Sequence, residues 1–267
     1  MQIISWNIDS LNAALVGHSE RAELSRQTLN KIAELQPDII GLQETKLSQL
    51  LPKHTAKLQE YFPEYTFVYT NSQQKKGYAG TLILYKNSYQ GKPILDLDTL
   101  EEGRITGIEI NSTVYLSVYV PIGHSTERRE QRVNWTADLR KTLRQYHQQG
   151  KQVILFGDFN RPATRLDIYE PKKFDMMVKR FPPVVRDSFT NFFKDGYVDA
   201  FRYLYPNKDD VFTWWSQRNK TTKPNNHGWR LDYFLVDHDL IQQIKDVTVI
   251  DTGKRADHAP IRLELNN

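Results

Sequence analysis

Five times along this chain a short apolar run ends or begins on a carboxylate or carboxamide. Ile3–Trp6 gives way to Asn7 and Asp9, Ile39–Leu42 to Gln43 and Glu44, and Val153–Gly157 to Asp158 and Asn160. Asp232 opens Tyr233–Val236, and Asp257-His258 leads into Ala259–Ile261. Strand ends fixed by a packed core are a rigid way to gather ligands from distant segments. The set Asn7, Glu44, Asp158, Asn160, Asp232, Asp257 and His258 is all oxygen donors but for one imidazole. Such a set suits Mg²⁺, with Mn²⁺ as a substitute, better than Zn²⁺. An Asp or Asn after a strand is more often a turn or a cap than a ligand. The conjunction carries the reading. Gly157-Asp158-Phe159-Asn160 puts two polar side chains on one side of an extended segment. His258 stands beside Asp257 and has Asp232 available to orient it.

The positioning elements follow from hydrophobic pattern. Ile3–Ser5, Asp38–Leu42, Ala79–Tyr85, Arg104–Ile110, Val114–Val120, Gln152–Phe156, Val211–Trp215, Arg230–Val236 and Pro260–Leu265 read as strands, being β-branched or aromatic and bounded by turn formers. Arg21–Leu35 and Glu127–His147 read as helices. Leu24, Leu29 and Ile32 lie near one face of the first, and Val133, Trp135, Leu139 and Leu143 are the buried candidates of the second. Pro37 stops the first helix and Gly150 follows the second. Several strands are adjacent with no helix between them, which argues against a pure βαβ wind. The expected fold is α/β, two mixed β-sheets packed face to face with flanking helices.

Bulk properties narrow the class. The 267 residues are expected to form one catalytic domain, 1–267, without repeats or linker tracts. There is no apolar run long enough to span a bilayer and no signal peptide, so no membrane partner is expected. The chain has no cysteine, which excludes disulfides and thiolate metal sites and is compatible with a reducing cytoplasm, the expected location. A net charge of +4 weakly favours a polyanionic partner.

At these residues the sequence resembles the exonuclease III family of abasic-site endonucleases, within the DNase I-like endonuclease/exonuclease/phosphatase superfamily. The matching stretches are Ile4-Ser5-Trp6-Asn7-Ile8-Asp9, Gln43-Glu44-Thr45-Lys46, Gly77-Tyr78-Ala79-Gly80-Thr81, Val118-Tyr119-Val120-Pro121, Gly157-Asp158-Phe159-Asn160, Gly228-Trp229-Arg230-Leu231-Asp232-Tyr233 and Asp257-His258-Ala259-Pro260. They occur in the family's order and cover nearly the whole chain. The first and the Gly228–Tyr233 stretch favour the DNA-repair branch over its sugar- and lipid-phosphatase cousins. The resemblance implies a four-layer α/β sandwich with the site at one end. It implies Glu44 as main metal ligand with Asn7 beside it, and Asp257 at or near the metal. Asp158 would orient and deprotonate the attacking water, and Asn160 would hold water and phosphate. His258, held by Asp232, would contact the scissile phosphate, and Tyr119 would donate to a phosphate oxygen. The metal-site residues the resemblance implies are Asn7, Glu44, Asp158, Asn160, Asp257 and His258. The implied activity is hydrolysis 5′ to abasic sites and removal of nucleotides or blocking groups from 3′ ends of duplex DNA, by a monomer. An inositol-phosphate or lipid phosphatase and a catalytically silent DNA-binding homologue are the alternatives.

DNA contacts have their own signal. Trp214, Trp215 and Trp229 bracket Arg218, Lys220, Lys223 and Arg230, and basic residues interleaved with aromatics suit phosphate contacts plus packing on an unstacked sugar or base. Two departures from the family pattern fall in loops expected to touch DNA. Ile122 stands where the family carries Asn or Gln, and Ile cannot donate a hydrogen bond. Arg161-Pro162 replaces small apolar residues, and Arg161 is an added candidate for phosphate contact. The stretch Phe181–Arg186 replaces a Gly-Phe-Thr-type loop. The expectation is retained catalysis with a shifted balance between abasic-site incision and 3′-end trimming.

Overall fold

The computed structural model describes residues 1–266. The first third carries β1 (Gln2–Asn7), α1 (Leu11–Val16), α2 (Glu20–Glu34), β2 (Ile39–Gln43), α3 (Pro52–Tyr61), β3 (Tyr65–Thr70) and β4 (Thr81–Lys86). The middle carries β5 (Lys92–Ile94), β6 (Ile105–Ile110), β7 (Thr113–Tyr119), α4 (Thr126–Gln148) and β8 (Gln152–Asp158). Then follow α5 (Pro171–Arg180), α6 (Pro183–Lys194), β9 (Tyr197–Asp199), α7 (Ala200–Leu204), β10 (Trp214–Trp215), β11 (Asp232–Asp237), β12 (Ile244–Val249), β13 (Asp257–His258) and β14 (Ile261–Leu265).

Two six-stranded sheets form, ordered β12-β14-β1-β2-β4-β3 and β5-β6-β7-β8-β11-β9. β1 and β2 are parallel, as are β7 and β8, and the remaining neighbours in both sheets are antiparallel. The sheets are therefore mixed, as expected. Alternate residues of each central strand face opposite ways, and the core divides accordingly. Ile3, Ile39 and Ile83 meet Ile154, Phe156 and Phe234 between the sheets. Ile4, Trp6, Ile40 and Leu42 pack outward on Leu29 and Ile32 of α2 and Leu58 of α3. Val153 and Leu155 pack outward on Trp135, Leu139 and Leu143 of α4 and Phe189 and Phe192 of α6. The result is four layers, helix–sheet–sheet–helix.

The sheets approach closely where small residues permit. A Cβ on Gly41 would lie 2.3 Å from the Phe156 ring across the interface. Beside it, Gln43 Nε2 donates to Ser117 Oγ at 2.9 Å and to Ser5 Oγ at 3.1 Å, so the buried amide ties both sheets together. α2 starts at Ser19, whose hydroxyl accepts from Ala22 N, with Glu20 and Glu23 in the first turn; α4 starts likewise at Ser125.

One expected strand is mostly absent. Of Val211–Trp215 only Trp214 and Trp215 pair, because their partner β13 is itself two residues long. Trp229 O instead accepts from both Thr213 N and Trp214 N, which folds the segment into a loop.

Candidate functional site

The carboxyl ends of β1, β2, β7 and β8 point to one end of the sandwich, and antiparallel β11 begins there. The ladder places Tyr119 opposite Asp158 and Asp158 opposite Asp232. β13 brings in Asp257 and His258 through pairing with β10. Asn7, Glu44, Tyr119, Asp158, Asn160, Asp232, Asp257 and His258, all expected from sequence, are thus gathered at one end.

Two chains of contacts link them. Asn7 Nδ2 donates to Glu44 Oε1 at 2.8 Å and to Asp158 Oδ2 at 3.0 Å, while its Oδ1 accepts from Asp9 N at 3.1 Å. Its NH₂ thus bridges the two carboxylates. His258 Nδ1 lies 2.8 Å from Asp232 Oδ2, which also accepts from Thr213 Oγ1 at 2.6 Å. His258 Nε2 lies 3.6 Å from Asp158 Oδ2. The Asn160 side chain donates to Val120 O at 2.9 Å, and its backbone N–H donates to Asp158 Oδ1 at 2.7 Å. The Tyr119 hydroxyl bonds Glu44.

Burial sets the proton affinities. Asp158 is pushed up by burial and by the nearby Asp232 and Glu44 carboxylates, against the pull of His258. Burial would lower His258, but Asp232 and then Asp158 overrule it and raise it to about 10. At neutral pH the imidazole therefore carries the proton. The Tyr119 phenol is pushed well above its usual range by burial, then by Glu44 and Asp158, so it remains a donor.

Asp158, Asp232 and His258 bring ligating atoms within 4.8 Å of one another. This buried acidic cluster could hold a cation. The Glu44 side offers oxygen donors as well. Its carboxylate remains 18% exposed, it neighbours Asp158 through Asn7, and the available donors are oxygens. These residues fit a small divalent cation. Asp257 accepts from Trp214 Nε1 at 2.9 Å through Oδ1 and pairs with Arg21 at 3.1 Å through Oδ2.

The backbone is strained where the site is built. Asp9, Glu44, Lys46, Asn160 and Asp257 have φ of 49°, 53°, 51°, 51° and 89°, values L-residues rarely adopt and that concentrate at functional sites. Gly157 has φ 147°, and a Cβ there would lie 1.9 Å from Val118 O, so only glycine lets β8 deliver Asp158 beside β7.

Sequence reasoning missed the scaffolding cations. Lys46 bonds Asp9 and lies 3.1 Å from Glu44 Oε2. Arg21 bridges Asp9 and Asp257. Arg255 is buried on the face of Trp6 and donates to Ile8 O and His258 O, fixing the His258 loop against β1. Lys46 follows Glu44 within a quoted motif, which was a usable signal; Arg21 and Arg255 had none.

The DNA-contact expectations divide. Arg218 and Lys220 are exposed, Trp214 and Trp229 are half-buried and meet edge to face at 5.7 Å, and Arg161 is half-buried with its guanidinium 5.8 Å from the Phe181 ring. Arg230 is corrected. It is 2% exposed and clamped by Asp199, 2.6 Å away, and Asp167, 2.8 Å away, so no phosphate can reach it.

The model of the endonuclease/exonuclease/phosphatase family matches residues 4–258. The exodeoxyribonuclease of Streptococcus pneumoniae is 39% identical over the full length of both chains. The chain belongs to this family. The DNA repair nuclease APEX1 of Danio rerio is 31% identical, over 99% of this chain and 82% of its own. Among solved structures, a Neisseria 3′ phosphatase bound to a product DNA hairpin superposes with a TM-score of 0.80 and 26% identity, over all of both chains. Within its family this chain is a nuclease of the exodeoxyribonuclease and abasic-site endonuclease branch, and dependence on a divalent metal is typical of that family. These relatives favour neither the inositol-phosphate reading nor the silent homologue.

Proposed function

We propose that the chain is a Mg²⁺-dependent DNA-repair phosphodiesterase, a single catalytic domain acting as a cytoplasmic monomer on duplex DNA at abasic sites and 3′ ends. The carrying observation is the convergence of Glu44, Asn7 and Asp158 with the His258–Asp232 pair. Glu44 would hold the metal, with Asp158, Asn160, Asp257 and His258 around it and Asn7 fixing Glu44 and Asp158. When bound, the metal supplies charge stabilisation for the phosphorane-like transition state and the leaving O3′. Asp158, made more basic by burial, takes a proton from the attacking water, and Asn160 orients that water. His258, protonated, and Tyr119, kept as a phenol, donate to non-bridging oxygens where negative charge builds. Arg161, Trp214, Arg218, Lys220 and Trp229 lie around the site as DNA contacts.

The test is a gel assay on duplex DNA holding one abasic analogue, with Mg²⁺ and with chelator. Cleavage is expected with Mg²⁺ only, and chelator-resistant cleavage overturns the reading. Asp158→Asn is expected to abolish cutting while DNA binding persists; cutting at the wild-type rate would remove Asp158 from its role.

A further inference from the structure

Arg104 stands opposite Tyr119 at the site end of the β6–β7 ladder, where Ile105 pairs with Val118 and Tyr119 N donates to Arg104 O at 2.8 Å. Its side chain is buried, and nothing in the reaction described above uses it. We propose that Arg104 is a positioning residue for Tyr119, fixing the ring and setting positive charge over its face as the hydroxyl donates to the scissile phosphate. The inference rests on the reading of Tyr119 as a donor in a DNA phosphodiesterase.

Each nitrogen of the guanidinium is committed. Nε donates to Glu102 Oε2 at 2.6 Å, one terminal nitrogen donates to Tyr119 O at 3.2 Å, and the other donates to the Tyr78 hydroxyl at 2.8 Å. The guanidinium carbon lies 4.7 Å from the centroid of the Tyr119 ring and 5.5 Å from that of Tyr78. The planar fork therefore holds both the backbone and the ring face of Tyr119, which a flexible ammonium cannot do at once. A phenol that must meet a phosphate oxygen tolerates little drift, since a displacement of about 1 Å can cost roughly a hundredfold in rate.

The charges argue the same way. Glu44 and Asp158 crowd the Tyr119 hydroxyl with negative charge, and Arg104 supplies the opposing charge. Glu102 does not cancel it, because Arg128 shares that carboxylate, 2.8 Å from Oε1. Two guanidiniums on one carboxylate leave the triad net positive, and its buried cation is the one over the ring. Negative charge gathers on a phenol oxygen as it donates, so a cation on the ring face strengthens the donor. Arg128 lies in the first turn of α4, so the triad also ties the end of β7 to that helix.

The test measures incision of duplex DNA at one abasic analogue, with Mg²⁺, for wild type, Arg104→Met, Tyr119→Phe and the double variant. Arg104→Met is expected to lower the saturated rate about tenfold or more, with the half-saturating DNA concentration unchanged within about twofold. In the Tyr119→Phe background the same change is expected to cost less than about threefold, because the hydroxyl it serves is gone. Should Arg104→Met fail to fold, Arg104→Lys takes its place, since it keeps a cation beside Glu102 but not the fork. Its expected loss is about threefold or more with the Tyr119 hydroxyl present and none without it. An equal loss in both backgrounds marks a plain structural role and overturns the proposal, as does a wild-type rate or a loss confined to the half-saturating concentration. A Tyr119→Phe chain that cuts at the wild-type rate overturns the donor role of Tyr119 and the inference with it. A wild-type chain that leaves the abasic duplex uncut sinks the phosphodiesterase reading itself, so the three failures are told apart.

Discussion

His258 sits between two carboxylates with different duties. Asp232 accepts from Nδ1 at 2.8 Å, and Asp158 lies 3.6 Å from Nε2. The nearer pair is a hydrogen bond, while the farther one leaves Nε2 free to turn to a substrate oxygen. The imidazole is raised from 6.5 to about 10 although burial opposes it, because Asp232 and Asp158 favour the cation. A folded value above the unfolded one stabilises the protein fully below about pH 6.5, and that contribution fades as pH rises through about 10. The neutral Asp232→Asn side chain removes the largest of the charges that favour protonation. The His258 ring signal in NMR is then expected to titrate several pH units lower, and cleavage at neutral pH to fall roughly a hundredfold with the fold intact, the scale for losing one oriented donor. A wild-type His258 that titrates near its ordinary value would refute this account.

Among the elements, β11 and its flanks bind the site end to the helical side. Arg230, just before β11, holds Asp199 at the end of β9 and Asp167 in the preceding turn, and Arg202 of α7 also reaches Asp167 at 2.6 Å. Asp167 is held below its usual range, since Arg230 and Arg202 outweigh its burial. Removing Arg230 leaves buried Asp199 without its cation and Asp167 with Arg202 alone. Arg230→Met is expected to destabilise the fold by about 3–5 kcal/mol in denaturant unfolding, the usual scale for breaking a buried pair. Below its melting temperature the variant should keep the wild-type salt dependence of DNA binding; a shallower dependence would restore Arg230 as a phosphate contact.

That residue also marks how far the sequence was legible. Asn7, Glu44, Asp158 and His258 could be read because each sits at the margin of an apolar run, and a run betrays its own end. Arg230 lies at such a margin too, but a basic residue between aromatics looks the same whether it faces phosphate or buried carboxylates, and its partners are 31 and 63 positions away. The long strands and α2 and α4 were legible from periodicity. β10 was read too long, as Val211–Trp215, since pairing with a two-residue partner is a tertiary fact. α6 carried a signal in Val185, Phe189 and Phe192 at helical spacing, with Pro183 in its first turn. α5 buries no side chain, so no core pattern marked it.

At the scale of the whole molecule, the net charge of +4 conceals an uneven distribution. On one side of the site stands a cleft lined by Arg129, Arg161 and Arg180. A second groove, of about 760 Å³, is lined by Arg21, Lys220, Lys223, Lys254 and Arg255 against two carboxylates, Glu20 and Asp251. Arg255 and Lys223 are already spent on structure, since Lys223 donates to Arg255 O at 2.7 Å and packs on Trp215. Lys220 and Lys254 are exposed. A duplex lying across the site end would meet both basic flanks, and each phosphate neutralised steepens the fall of log affinity with log salt by about 0.9. Lys220→Gln/Lys254→Gln is expected to reduce that slope by roughly 1 to 2 and to weaken binding alike for abasic and intact duplex, because phosphate contacts carry no sequence or lesion information. Fluorescence anisotropy across a salt series with the Asp158→Asn background, which prevents cutting, measures both quantities. An unchanged slope would move the duplex off this groove, and a loss confined to the abasic duplex would make it a lesion-reading surface instead of an electrostatic rail.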